Sequence, residues 1–230
     1  MKKIILLLLV ALAGCHTDRP TVPFTISKVV KVDGGVTRMD ILIPGRLERE
    51  QMLDIAAKVK RDSSQYDNLQ LDFILPGNSY KNSGGVIVYA TAAYHPKGKS
   101  TALDTVRDYN DQFLSFDFNG ITRQQAGKLL AVDPAEMIGK TLLGRFIDDD
   151  LKTLIMVYED KSDNNQKYIL ELDTAGKIIA PIIPKEINHN GINKMIITEQ
   201  GDYMTLKDST LTMYSGSDPD KPYRTLKKGI

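Results

Sequence analysis

The chain has 230 residues, of which 42% are hydrophobic and 26% are charged, and its 30 basic residues are almost balanced by 29 acidic ones. These values are typical of a globular protein with a packed core, and they lack the basic stripe or polybasic cluster that indicates binding to nucleic acid or anionic lipid. A single cysteine, Cys15, excludes a framework of disulfide bonds within the chain.

The first fifteen residues have the layout of an export signal. Lys2 and Lys3 precede an apolar run, residues 4–12, and small residues follow at the point where cleavage is expected. In a helix this run covers roughly 14 Å, which is about half the thickness of the hydrocarbon core, so it is too short to span a bilayer. We therefore expect residues 1–14 to be a signal peptide that is removed.

The segment Leu12-Ala13-Gly14-Cys15 resembles the lipobox of bacterial lipoproteins. The resemblance implies attachment of diacylglycerol to the Cys15 sulfur, cleavage before Cys15 and acylation of the new amino terminus, and His16 in place of aspartate implies placement in the outer membrane, facing the periplasm. The alternative is ordinary cleavage after Ala13, which would release a soluble protein with an unpaired thiol in an oxidising compartment. Acylation accounts for the lone cysteine, and several acyl chains hold a protein durably at a membrane.

The N-terminal half is predicted to be a small α+β domain, residues 25–120, after an extended tether, residues 15–24, that contains Pro20 and Pro23. Glycines at 34 and 35 predict a tight hairpin turn, and apolar residues at helical spacing after residue 47 predict an amphipathic helix. The expected order is a hairpin, a helix and a second hairpin with a long tip at residues 77–85: strands 25–32 and 36–43, helix 47–61, and strands 69–75 and 86–94.

Residues 36–96 resemble a group of uncharacterised bacterial envelope proteins with the order strand, helix, strand, Leu-Pro-Gly, strand. The matching pieces are Ile43-Pro44, Ile55-Ala56-Ala57, Leu75-Pro76-Gly77 and Ala90-Thr91-Ala92. That group often has a tryptophan in the last strand, and this chain has none. The resemblance implies a small α+β domain and no particular activity.

A helical connector, residues 121–138, is expected to separate the halves. Alternation predicts a strand at residues 114–118 before it, and Thr122 and Gln125 have the spacing of a capping box at the start of a helix, residues 122–131. From residue 139 onward short β-rich runs recur every ten to fifteen residues, which predicts an antiparallel meander that forms a sandwich or a barrel. The predicted strands are 141–147, 153–158, 167–172, 177–183, 194–198, 203–207 and 211–214.

Gly144-Arg145-Phe146, near the start of this meander, resembles the Gly-x-Trp entry of lipocalin-like barrels, with phenylalanine in place of tryptophan. The resemblance implies a cavity for an apolar ligand. The alternative is an interior filled by side chains, as in most small barrels.

Catalytic and metal-binding patterns are weak in this sequence. His16 falls in the tether, His95 precedes Pro96 at a strand end, and His189 lies among turn-forming residues. Residues 160–171 place acidic and polar side chains at several positions of a calcium loop, but they lack the required glycine and the flanking helices, so a solvated hairpin turn is the better interpretation. The aspartate runs at 148–150 and 218–220 are interpreted as exposed turns, and no residue is assigned a catalytic role.

The sequence thus predicts an α+β protein that acts at the cell envelope as a binding or scaffolding module, without catalysis, cofactor or metal. The expected partners are the membrane, through acyl chains on Cys15, and an envelope protein. The expected contact surface comprises Tyr80 in the long loop together with Tyr94 and His95, because tyrosine is enriched at interfaces and loops carry recognition. The alternatives are a lipocalin-like carrier of an apolar ligand and an enzyme, and the enzyme would need a histidine near a buried carboxylate and a serine.

Overall fold

The fold is mostly β, with two α-helices and fifteen strands in the described part of the chain. The computed structural model describes residues 22–79, 86–95, 105–107, 113–189 and 191–229. The helices are α1 (Arg49–Asp62) and α2 (Arg123–Leu130), and a short 3-10 helix spans Ala135–Met137. The strands are β1 (Thr25–Val32), β2 (Val36–Leu42), β3 (Leu69–Ser79), β4 (Val86–His95), β5 (Thr105–Arg107), β6 (Phe113–Phe118), β7 (Thr141–Asp148), β8 (Thr153–Asp160), β9 (Gln166–Leu172), β10 (Ile178–Ile182), β11 (Lys185–His189), β12 (Ile192–Ile196), β13 (Tyr203–Lys207), β14 (Thr210–Ser215) and β15 (Asp218–Lys227).

Eleven of the strands form one large sheet that runs through both halves of the chain. Its order is β11-β12-β13-β14-β15-β3-β4-β6-β5, with β2 also beside β3 and β1 beside β2. The pair β2 and β3 is parallel because α1 makes the crossover between them. All other neighbours in this sheet are antiparallel.

Helix α1 covers one face of the N-terminal part of this sheet. Alternate residues of β2, β3 and β4 point toward it, and Met52, Ile55 and Val59 of the helix are buried against them. The result is a single apolar core on this face, while the opposite face carries polar residues such as Asp72 and Thr91.

The C-terminal part of the molecule is a sandwich of two sheets. Strands β7 to β10 form a separate antiparallel sheet of four strands, and one of its faces packs against strands β12 to β15 of the large sheet. Phe146 of β7 is fully buried in the core between the sheets, where it meets methionine and leucine side chains. A single backbone bridge between Phe146 and Lys228 joins the sheets at one edge.

Helix α2 and the residues after it cover the outer face of the four-stranded sheet. Ala126 and Leu129 of the helix are buried against Leu154, Met156 and Leu170. The side chain of Thr122 accepts a hydrogen bond from the backbone N–H of Gln125 at 3.3 Å, so the predicted capping box is present.

The prediction that strands dominate the C-terminal half is confirmed, and two packed sheets fit the sandwich alternative. The predicted N-terminal domain of hairpin, helix and hairpin is not confirmed as a separate unit, because β3 also pairs with β15 at Ser79 and Thr225 and so continues into the C-terminal strands. Strands β5, β11 and β15 were missed. His189, expected in a turn, is the last residue of β11.

Candidate functional site

The three residues of the predicted contact surface do not lie together on one described surface. Tyr80 lies outside the described residues. Tyr94 is fully buried, at 0% exposure, in the core beneath α1, so its assignment to a contact surface was wrong. The physical reason is the strand period, since Tyr94 pairs with Leu69 and Leu114 and shares their inward face. His95 is partly exposed and is the only one of the three that the described structure leaves near a surface.

His95 forms the one contact between a histidine and a serine that the described residues show. Its Nε2 lies 3.0 Å from Oγ of Ser115 on the neighbouring strand β6. The Ser115 hydroxyl also lies 3.5 Å from the carbonyl oxygen of Ala93 and is 8% exposed. The enzyme alternative needs a histidine, a serine and a buried carboxylate, and this contact supplies the first two.

A buried carboxylate on the same face of the sheet as His95, that of Asp72, is already engaged. This carboxylate is 1% exposed on the polar face of the large sheet. It accepts hydrogen bonds from Gln70 Nε2 at 2.9 Å and Thr91 Oγ1 at 3.2 Å, and it forms an ion pair with Arg38. Because these groups neutralise and orient it, Asp72 serves this network rather than the histidine.

An open cleft lies at the edge of the large sheet, beside His95. Its volume is about 740 Å³. The turn between β1 and β2 forms one wall, the segment between α1 and β3 forms another, and the lining includes Lys31, Thr37, Gln65, Asn68 and His95. We call this the edge cleft. Its lining carries hydrogen-bond donors and acceptors from three different parts of the N-terminal half.

Rigid elements support the edge cleft. Lys60, which is buried near the end of α1, donates a hydrogen bond to the carbonyl oxygen of Tyr66 and lies 5.8 Å from the centre of the Tyr94 ring. Gly34 and Gly35 adopt φ angles of 87° and 77°, which a tight turn requires and which glycine tolerates. Two walls of the cleft therefore rest on constrained backbone.

Asp148 ends β7 and is followed by Asp149 and Asp150, and we call these three residues the aspartate turn. The sequence suggested an exposed turn, but Asp148 and Asp149 are buried and only Asp150 of the three is exposed. Asp149 is 2% exposed. Its two oxygens accept hydrogen bonds from Arg46 Nη1 at 2.7 Å and Nη2 at 2.8 Å, and the backbone N–H of Ile121 donates to it at 2.9 Å. A bidentate pair of this kind joins the segment before α1 to the four-stranded sheet.

Asp148 makes a second buried link, toward the large sheet. It forms an ion pair with Arg224 of β15, and Arg224 Nη2 also donates to Asp150 at 2.7 Å. Burial raises the pKa of the Asp148 carboxyl, and the nearby Arg224 guanidinium partly offsets that increase. The aspartate turn is therefore a structural junction, because its buried charges are matched by arginines on two other elements.

Tyr89 belongs to the same junction. The Arg46 guanidinium lies 5.3 Å from the centre of its ring, and burial raises the pKa of the Tyr89 hydroxyl to about 12, against the opposing influence of Arg46. The hydroxyl thus stays protonated at neutral pH and acts as a neutral neighbour of the ion pair.

The region with partial calcium-loop spacing forms the hairpin between β8 and β9. Asn164 and Asn165 have φ angles of 45° and 60°, as a tight turn requires. Asp160 accepts hydrogen bonds from Ser162 and lies 3.2 Å from Lys140 Nζ. Among the described residues, no group of three or more histidine, cysteine or acidic side chains is arranged to hold a metal ion.

Comparison with known proteins adds no family. No family model matches the chain, and no curated protein or solved structure resembles it significantly. Within the described ranges, neither helix has the length and apolar character that crossing a bilayer requires. The candidate site therefore has to be interpreted from its own geometry.

Proposed function

We propose that this chain is a lipid-anchored binding module of the bacterial cell envelope. Acyl chains on Cys15 hold it at the membrane, at the periplasmic face of the outer membrane, and it binds an envelope protein without catalysing a reaction. The N-terminal α+β part supplies the binding surface, and the C-terminal β part supports it.

The edge cleft is the observation that carries this proposal. A concave site with polar groups on fixed backbone suits the recognition of a partner, and Lys31, Asp67 and His95 offer it charged and hydrogen-bonding groups. The cleft lies on the N-terminal half, which is also the half that the tether precedes. A partner in the same membrane compartment can therefore reach it.

Crosslinking in living cells tests the binding role. A photoreactive amino acid at Gln65 in the edge cleft is expected to yield a discrete adduct with an envelope protein, whereas the same group at Ile179, an exposed residue of β10, is not. Lys31→Glu should remove the adduct, and Lys207→Glu, a matched change on a distant strand, should preserve it. Identical adduct patterns from the photoreactive groups at Gln65 and Ile179 would contradict a partner at the edge cleft.

The membrane anchor has its own test. Labelled palmitate is expected to enter the parent chain and to be absent from Cys15→Ala. If both chains incorporate the label equally, Cys15 is not the acylated residue, whatever the crosslinking shows.

A serine hydrolase is the second candidate, and the contact between His95 and Ser115 favours it. In such an enzyme the Ser115 hydroxyl would attack an ester carbonyl while its proton passes to His95 Nε2. The ester C–O bond would then break, the alcohol would leave with that proton, and water would hydrolyse the acyl-serine. A fluorophosphonate probe should then label the parent chain but not Ser115→Ala, and His95→Gln should slow the labelling. We rank this function second because no described carboxylate is hydrogen-bonded to His95.

A further inference from the structure

Strand β1 is unusual in this fold because all eight of its residues are exposed. Among the described strands it pairs only with β2, so its other edge is open. It nevertheless carries large apolar side chains on both faces, with exposures between 38% and 52%: Ile26, Val29, Val30 and Val32. An open edge with apolar side chains is a template for the addition of another strand.

The register with β2 shows which side chains share a face. Lys28, Val30 and Val32 lie on the polar face of the sheet, because they pair with Asp40, Arg38 and Val36. Val29 and Lys31 lie on the face of the apolar core, where Val29 pairs with the buried Met39. The core face therefore extends to the open edge and ends at an uncovered valine.

We propose that a second copy of this chain pairs with β1, antiparallel and centred on Val30. In this register Val30 lies opposite Val30 of the second copy, each Lys28 lies opposite a Val32, and each Val29 lies opposite a Lys31. Every lysine thus faces a valine directly and no lysine directly faces a lysine, so the strand is complementary to itself in pattern and this register avoids directly opposed like charges. The apolar stems of the lysines cover the opposing valines.

Other occupants fit this edge less well. Insertion into a bilayer would leave the outward backbone N–H and C=O groups of β1 without partners, which costs several kcal/mol for each group. Lysines on an edge strand usually oppose indiscriminate pairing. Here their spacing permits the two-fold register and disfavours registers that place lysines opposite each other.

An interface limited to one strand is small, so association in dilute solution should be weak. Two copies on one membrane surface would have a higher effective concentration. That enhancement rests on the proposed anchor, whereas the pairing itself rests only on β1.

Cysteine crosslinking in the intact envelope tests the pairing. Directly opposed residues in an antiparallel pair have Cα atoms about 4.5–5.5 Å apart, which suits a disulfide, whereas diagonal neighbours about 7–8 Å apart are poorly placed. After mild oxidation, Val30→Cys is expected to form roughly five-fold or more covalent dimer than Val29→Cys, because the two copies of residue 29 are diagonal neighbours in this register. Ile179→Cys, on β10, is the control for random collision.

The outcomes are distinct. The decisive comparison is between the dimer yields of Val30→Cys, Val29→Cys and Ile179→Cys. A Val30→Cys yield no higher than that of Ile179→Cys, a higher yield at position 29, or a disulfide to a different protein would overturn the proposal. Dimer in the parent chain would instead reveal a free Cys15 thiol and would count against the anchor.

Discussion

Two glycines show how a single missing Cβ decides packing in this molecule. A Cβ on Gly144 would lie 2.5 Å from atoms of the Phe146 ring, which packs over it, whereas a Cβ on Gly127 in α2 would have no neighbour within 4 Å. The first glycine is therefore required by a fully buried aromatic side chain, and the second is an exposed helix position.

Gly144→Ala and Gly127→Ala should consequently have opposite effects on stability. Gly144→Ala is expected to lower the free energy of unfolding by about 1–3 kcal/mol, because the phenylalanine must move within a packed core. Gly127→Ala should raise it by about 0.5–1 kcal/mol, because alanine favours the helix. Urea denaturation of both variants checks this, and a loss of stability in both would contradict the assignment of Gly127 to an open site.

The buried charge pair of Arg46 and Asp149 leads to a second prediction. Asp149→Ala leaves the guanidinium buried without its main partner and should lower the free energy of unfolding by about 3–5 kcal/mol. Asp150→Ala is the matched control in the same turn, and its partly exposed pair with Arg224 should cost about 1 kcal/mol or less. Equal losses in urea denaturation would show that burial does not distinguish these aspartates.

Tyr89 predicts a dependence of stability on alkaline pH. In the unfolded chain its hydroxyl ionises near pH 10, but in the folded chain it keeps its proton until about pH 12. Between these values the folded state binds more protons, so the free energy of unfolding falls as the pH rises. Tyr89→Phe should show a shallower decline over this range in denaturation curves at pH 10, 11 and 12, and an unchanged slope would contradict the raised pKa.

The sequence did not reveal the junction at the aspartate turn. Three consecutive aspartates in a polar run are typical of a solvated turn, and no local pattern distinguishes them from a buried site. The partner of Asp149 lies 103 residues away in the chain, at Arg46. Gly120 is a nearby residue that reflects the buried site, because a Cβ there would lie 2.4 Å from Asp149 Oδ1. The need for a glycine at this position is visible only in the folded structure.

At the scale of elements, periodicity predicted most strands and both helices because each signal is local. The predicted strand 203–207 has the observed bounds, and the other predicted strands of the C-terminal half differ from the observed ones by a few residues at most. Strand β15 was missed because Pro219 and Pro222 argue against a strand, and its pairing with β14 is indeed irregular there. The edge cleft was also missed, since it is formed by three segments that are distant in the sequence.

Helix α2 offers a prediction at this scale. Its first turn is closed by the side chains of Thr122 and Gln125. Thr122→Ala should lower the free energy of unfolding by about 1 kcal/mol, because it removes an acceptor for a backbone N–H that lacks a partner within the helix. Thr122→Ser keeps the hydroxyl and should retain most of the stability in thermal or urea denaturation. A serine variant as unstable as the alanine variant would assign the loss to the threonine methyl group instead.

At the scale of the whole molecule, two features couple the halves that the sequence suggested were separate domains. The large sheet passes from β3 to β15, and the aspartate turn binds Arg46 in the N-terminal half and Arg224 in the C-terminal half. Neither link could be inferred from local patterns, because both depend on contacts between residues far apart in the chain.

We therefore expect the two halves to unfold together. The chain has no tryptophan, so Tyr66→Trp and Tyr168→Trp each introduce a single fluorescent probe, one packed against the core beneath α1 and the other against the core beneath α2. In urea both probes should report the same midpoint and the same slope, as a cooperative transition requires. In the Asp149→Ala background the midpoints should shift together if the sheet alone maintains the coupling, and they should separate if the buried ion pair is what maintains it. Separate midpoints for the two probes without that substitution would show that the halves are independent domains, as the sequence suggested.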